Sequence, residues 1–419
     1  MSCGRTSLLV CLCLIPSFAA AGDWPQIMGP TRSGLAPDEK LAASWPAGGP
    51  KTVWQHAVGE GVSGVAVASG KVVVFHRLGD EEIVEGLDAT TGKSLWKTGF
   101  PTKYVPSFID DRGPRTVPLI HDGRVYVFGA HATLACVGLA DGKTVWKRDL
   151  LEGFKNKKPR RGEPVEGYFG FGTSPIVEGD KLLLNVGDDE NDAGIMAFDL
   201  LTGETLWKLT KERASYSSPI AVTVGGQRQV IFSTRLTLIA VRPTDGSILW
   251  RHGFGQLGPA VVGANPVLVS DRIFMTASYG TGAVLIDIAK PSSPQLWSSD
   301  ELISSQYTTS IAHKGLLYGV HGRQDLGAAA LRCVDPATKK VKWNEEGFGY
   351  ATLILAGDKL LALKTDGELV VGDATENGFT ATSKAKLFAK TVRALPALSN
   401  GHLFVRDTTT LKCFEVGAR

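Results

Sequence analysis

Apolar and polar residues alternate into a recurrent turn and out of it again. In the clearest copy Val84, Gly86 and Asp88 lead in, and Lys93 and Leu95 lead out. A period of two is that of a β-strand, so each turn joins two antiparallel strands. The turn has its own chemistry: the Asp side chain hydrogen-bonds back onto the chain, and Gly accepts a positive φ. Two further strand signals lie upstream of each hairpin. Examples are Ser174-Pro-Ile-Val with Asp180-Lys-Leu-Leu-Leu, and Asn265-Pro-Val-Leu-Val with Arg272-Ile-Phe-Met. Each period therefore predicts four short antiparallel strands and no helix.

The period repeats. Asp88-Ala-Thr-Thr-Gly92-Lys-Ser-Leu-Trp96 recurs as Asp199-Leu-Leu-Thr-Gly203-Glu-Thr-Leu-Trp207 and as Arg242-Pro-Thr-Asp-Gly246-Ser-Ile-Leu-Trp250. Weaker copies end at Trp146 and Trp343, and a stretched copy ends at Trp297. With Trp54, these are the predicted structural docking residues, each on the fourth strand of its unit and facing a neighbour. One further step falls near Phe388, an aromatic expected to replace Trp. Four strands in about 45 residues are the signature of a propeller blade. Strand sets begin near Val65, Val117, Ser174, Ser218, Asn265, Thr309, Ala351 and Pro396. The last set has only three strands, and Lys51 to Val58 supplies the fourth. The prediction is an all-β, eight-bladed propeller over residues 51–419, closed by N- and C-terminal strands in one blade. Closure matters because an open ring would expose pairing edges.

The N-terminus reads as an address. Arg5, an apolar run from Leu8 to Ile15, and Ala19-Ala20-Ala21 make the pattern of a secretory signal peptide over residues 1–21, followed by a leader over 22–50. The expected location is periplasmic or secreted. No later stretch is apolar for long enough to predict a transmembrane helix. Of six Cys, Cys136, Cys333 and Cys413 lie beyond the signal. Each sits two residues before the turn-opening position of its blade, where other blades hold Gly86, Ala197 and Ala240. That is a small-residue packing slot, in blades that are not neighbours, so three free, buried thiols are expected.

The AxDxxTGxxxW pattern resembles the tryptophan-docking repeat of pyrroloquinoline-quinone (PQQ) type propellers. Trp24-Pro-Gln-Ile-Met-Gly-Pro30, Gly113-Pro-Arg-Thr-Val-Pro118, Tyr216-Ser-Ser-Pro219 and Leu331-Arg-Cys-Val-Asp335 further resemble exported PQQ-like repeat proteins of planctomycete-type bacteria. The repeat is shared by quinone-dependent alcohol dehydrogenases and by the propeller lipoprotein of the outer-membrane barrel-assembly machinery. The resemblance implies that interblade loops and the loops between second and third strands share one face, where quinoproteins hold their cofactor. It maps Arg115, Tyr168, Tyr216, Asn265, Tyr279, Arg323, Arg393 and Arg406 to that mouth as candidate ligand-binding residues, with His76, Asp325 and Asp407 nearby. Guanidinium forks and aromatic rings suit a planar or anionic ligand. A quinone enzyme of the resembling kind also needs Ca²⁺, a catalytic Asp and an adjacent-Cys disulfide. The chain has no adjacent Cys pair in its mature part, so no cofactor is expected, with PQQ and Ca²⁺ the alternative.

Charge and composition narrow the classes. Lys and Arg number 45 against 42 Asp and Glu, a net charge of +3, so the surface of a nucleic-acid binder is not predicted. Asp188-Asp-Glu-Asn-Asp192 offers oxygen donors but lacks the calcium-loop pattern and reads as a solvated hairpin tip; no metal site is predicted. Lys155-Asn-Lys-Lys-Pro-Arg-Arg161 is a basic run in the longest interblade insertion, read as a solvated loop or an anion-binding one. No nucleophile, zinc or phosphate-loop motif is present in a credible context. Two readings stand. One is an exported, monomeric, non-enzymatic propeller binding a protein, peptide or anionic glycan on its loop face. The other is a quinone-dependent or other cofactor-dependent oxidoreductase.

Overall fold

The computed structural model describes residues 22–46, 48–106, 108, 110–154, 167–258, 260–290 and 292–418. The predicted signal peptide and the basic run at 155–161 lie outside them. Eight antiparallel sheets follow one another along the chain and form the eight predicted blades. Blade 1 consists of Ala66–Ala68, Lys71–Leu78, Glu81–Asp88 and Ser94–Pro101, paired in that order from the axis outward. Blades 2 to 7 repeat the order from Leu119, Ile176, Ile220, Val267, Ile311 and Ala351. In blade 8 the strands Ala397–Ser399, His402–Arg406 and Thr410–Glu415 are completed by Lys51–Ala57. Lys51 lies opposite Glu415 and Ala57 opposite Thr410, so the ring is closed as the sequence predicts. The short 3-10 turn Leu150–Phe154 is the only helical element among the described residues.

The Trp positions explain the repeat. Trp54, Trp96 and Trp146 are buried and donate their indole N–H to Ala89, Leu139 and Leu200 carbonyls of the next blade at 2.9–3.0 Å. Trp297 and Trp343 do the same to Pro336 and Thr375. The turn Gly of the next blade lies flat on the ring: a Cβ on Gly142 would sit 2.5 Å from Trp96 Cε3, and its φ is +71°. That Gly is thus required twice, by conformation and by contact. Beneath the ring lies the small-residue slot, where Trp96 pairs with Gly86 and Trp146, Trp343 and Trp54 with Cys136, Cys333 and Cys413. All three thiols are free and buried, and burial pushes them up to about 12, 11 and 12 respectively.

Three positions depart from the expected pattern. Trp250 donates within its own blade, to Gln229 at 2.8 Å. Trp207 is half-buried and its indole N–H has no partner. In blade 7 the residue opposite the slot is Ser383, facing Val371 just before the bulge that elsewhere follows Trp. Phe388 does not replace Trp; it lies beyond the outer strand Gly378–Lys386 and packs edge-on against Phe414 of blade 8. The spacing misplaces it because this hairpin runs on unbroken to Gly378, without the turn of the other blades.

The leader enters the ring. Trp24 is buried and exchanges two 2.8 Å backbone bonds with Val67 of blade 1. Pro25 accepts from Ile120 of blade 2. Arg32, 3% exposed, donates to the Pro219 carbonyl of blade 4 at 2.7 Å, to the Pro175 carbonyl of blade 3, and to Gln26. Leu35–Ala36 pairs in parallel with Leu355 and Ala356 of blade 7, and Glu39 caps the Asn400 and Gly401 amides of blade 8. One short segment thus fastens six blades and fills the channel from the end opposite the interblade loops.

Candidate functional site

In each blade the first strand starts, and the second and third strands meet, at one end of the ring. Interblade loops and second-to-third-strand hairpins therefore share one face. Below its rim runs a belt of small polar side chains, each placed just before an innermost strand. Val117 N–H donates to Ser174 Oγ, Ser174 N–H to Ser218 Oγ, Ser218 N–H to Asn265 Oδ1, and Asn265 N–H to Thr309 Oγ1, all at 2.8–2.9 Å. The belt links blades 2 to 6 and satisfies buried amides that no strand pairs. The signal for it was in the sequence, as Ser-Pro, Ser-Pro and Asn-Pro before three of these strands.

The belt takes Asn265 out of the candidate ligand set, since it is 3% exposed and bonded on both sides. Arg406 leaves it too. It is 1% exposed and donates to the carbonyls of Asp407, Gly59 and Phe75. Burial lowers its pKa to about 10, and its role is to tie blade 8 to blade 1. Arg115 is half-buried and turned onto its own loop, donating to Gly113 and Asp111 carbonyls. Tyr168 is buried, edge-on to the exposed Phe108 at 5.0 Å, and Tyr216 accepts the Phe169 amide while packing against that ring.

On the other side of the mouth the candidates meet. Arg323 lies 4.1 Å above the Tyr279 ring and forks onto Asp325. Tyr279 Oη accepts from Gln306, whose carbonyl oxygen accepts the Gln324 amide at 2.9 Å. Gln324 Oε1 then accepts from both Tyr307 Oη at 2.8 Å and Arg393 Nε at 2.9 Å. Arg393 is exposed, comes from the loop between blades 7 and 8, and has no carboxylate partner among the described residues. Leu326, 67% exposed, stands on the same hairpin as Gln324. Gln306, Tyr307 and Gln324 hold this network together. None of the three carries a repeat signal in the sequence.

One buried acid lies under the opposite rim. Glu82 is 1% exposed and accepts the Ala130 amide at 2.8 Å. Burial pushes its carboxyl up to about 7, against the pull of that amide, Arg77 and Arg115. The folded value lies above the unfolded one, so its destabilisation appears as pH rises from about 4.5 through 7. Glu82→Gln keeps the acceptor and removes the charge. It should raise stability by under about 1 kcal/mol at pH 5 and by about 3 kcal/mol at pH 8. Urea denaturation at both pH values checks this; an equal effect at the two would exclude ionisation as the cause.

Among the described residues no three His, Cys, Asp or Glu side chains are grouped to hold a metal ion. No helix among them is long and apolar enough to cross a membrane.

A family model described as "Outer membrane protein assembly factor BamB" matches residues 79–345, more than half of the chain. The chain belongs to this family. Within the BamB family, a solved relative is BamB from Moraxella catarrhalis, 14% identical with a TM-score of 0.62, covering 88% of this chain and 98% of that one. The fold is equally that of a europium-containing methanol dehydrogenase, 13% identical, TM-score 0.67, covering 92% and 89%. A quinohemoprotein alcohol dehydrogenase from Pseudomonas putida HK5 is 12% identical, TM-score 0.61, covering 95% and 81%. A comparison with curated proteins finds no match.

Proposed function

We propose that the protein is a non-enzymatic binding or scaffold propeller, acting as a monomer in the periplasm or after secretion, whose loop face engages a protein segment bearing carboxylates. The observation that carries this reading is Arg393. Gln324 pins its Nε and leaves the exposed guanidinium without a carboxylate partner among the described residues, and the exposed Leu326 stands on the hairpin that carries Gln324. A pinned fork, with an exposed apolar side chain on the hairpin that pins it, suits an acidic peptide better than a glycan, which offers little for the leucine. The BamB description, an assembly factor, supports a protein partner. The signal-peptide pattern supports export.

A quinone held with Ca²⁺ needs free carboxylate oxygens at the mouth. The two acids mapped there are engaged: Asp325 by Arg323, and Asp407 Oδ1 by the Thr409 and Thr410 amides. Their engagement supports a reading without a redox step.

Calorimetry against acidic peptides, acidic glycans, and PQQ with Ca²⁺ tests the proposal. Acidic peptides should bind, Arg393→Ala should weaken them tenfold or more, and Arg115→Ala should leave them unchanged. Binding confined to neutral or cationic peptides, or unaffected by Arg393→Ala, would overturn it. A stoichiometric bound quinone would favour the oxidoreductase reading.

A further inference from the structure

The seam between the first and last blades holds a set of titratable groups that the loop-face reading does not use. Gly59 links the closing strand Lys51–Ala57 to blade 1. Its N–H donates to His76 Nδ1 at 2.8 Å, and its carbonyl accepts Arg406 Nη2 at 2.7 Å. One residue is thus held from blade 1 through its N–H and from blade 8 through its carbonyl. The position tolerates only glycine, since a Cβ would sit 1.9 Å from the Arg77 carbonyl. With Nδ1 accepting, neutral His76 carries its proton on Nε2, which faces Glu85 Oε2 at 3.2 Å. Glu85 is fully buried, and its other oxygen meets His56 of the closing strand at 3.1 Å and Lys97 at 3.3 Å. The charges around His76 are therefore Glu85 and Lys97 from blade 1, His56 and Arg406 from blade 8, and Asp407 and Asp111 acting through Arg406.

We propose that this arrangement is an acid-sensitive latch: a proton on His76 Nδ1 sets donor against donor at the Gly59 amide and releases the seam that closes the ring. The release reaches the loop face. Glu60, next in the chain, exchanges two backbone bonds with Arg77 and pairs with Arg112. Arg77 in turn holds the carbonyls of Tyr104 and Arg112 in the loop that carries Val105, Phe108 and Arg115.

The direction follows from the surroundings. Burial first, with Arg406 and Lys97, holds His76 below 6.5, although Glu85 pulls the other way. The fold favours the neutral ring, so its contribution is complete above the unfolded value of about 6.5 and is lost as pH falls through the lower folded value. Glu85, held down to about 2 by His76, Ser94, His56 and Lys97 against its burial, stays ionised across that window. Within the His76–Glu85 pair, the group that changes charge is therefore His76.

Amide hydrogen exchange at pH 7.5 and 5.0, corrected for the intrinsic pH dependence, tests the latch on the whole chain. Protection of the Gly59 amide should fall tenfold or more at pH 5.0 in the wild type. In His76→Gln it should stay level, because Gln accepts from Gly59, donates to Glu85 and does not titrate. His56→Gln should respond as the wild type does. Equal wild-type protection at both pH values, a response that survives His76→Gln, or one abolished by His56→Gln alone would overturn the proposal. If His76→Gln does not fold, an NMR titration of the wild type decides. The His76 ring should titrate below 6.5 with the Gly59 amide shift on the same curve. A higher value, or an independent shift, would sink the latch.

Discussion

Trp96→Ala should lower the stability of the ring by about 3–5 kcal/mol, the range for deleting a large buried aromatic. Trp96 stands on the bare Cα of Gly86, is covered by Gly142 of the next blade, and donates to the Leu139 carbonyl at 3.0 Å. Neither glycine has a side chain to move into the void, and the carbonyl loses its donor. Trp207→Ala should cost less, about 1–2 kcal/mol, because that ring is half-buried and its N–H is unpartnered. Urea denaturation of both variants measures the difference as a shift in midpoint at constant slope. The transition should stay single, since a closed ring leaves no terminal blade to fray. Equal costs for the two would show that burial and the interblade bond do not set the anchoring strength.

Arg32→Ala should cost roughly 3 kcal/mol or more. Charge-assisted hydrogen bonds are worth about 1.5–3 kcal/mol each, and Arg32 makes two to buried backbone carbonyls of different blades. Burial lowers its pKa to about 9, so the guanidinium stays charged at neutral pH. Arg32→Lys should recover only part of the loss, because one ammonium cannot reproduce a planar fork reaching blades 3 and 4 together. Trp24 reports on the same segment: its fluorescence should shift toward that of an exposed indole in Arg32→Ala if the leader leaves the channel. A cost under about 1 kcal/mol with an unchanged Trp24 signal would mean that the leader is held by its strand pairings alone.

The repeat was legible because each of its letters answers to a local cause. Asp88 accepts the Thr90 and Thr91 amides, Gly92 takes a φ of +69°, and Trp54 of the preceding unit packs on it. Short-range turn chemistry recurs at every blade, so it shows as a pattern in one dimension. Ring closure was legible for a similar reason, as a last blade one strand short and an orphan Trp54 upstream. Where a blade dropped the turn, as at Gly378–Lys386, spacing pointed to Phe388 and pairing placed Ser383 opposite the slot, where other blades hold Trp.

The mouth was legible only as a set of loops. The sequence assigns Arg115, Arg393 and Arg406 to the same face; locally, Arg406 has Asp407 beside it, while Arg115 and Arg393 have no acid within three positions and cannot be told apart. Tertiary structure separates them, because each guanidinium takes the partners that the fold brings to it. Arg406 finds three carbonyls and becomes a bolt, Arg115 folds onto its own loop, and Arg393 is pinned by Gln324 from blade 6 and left facing out. The same holds for the leader, whose Trp24 and Arg32 have no repeat to announce them and meet partners up to 187 residues away. By itself, then, the sequence determined the blade, its count and its closure, which rest on contacts between adjacent strands and units. Only the folded ring decided what fills the channel and which charges stay free, because those depend on groups that closure alone brings together.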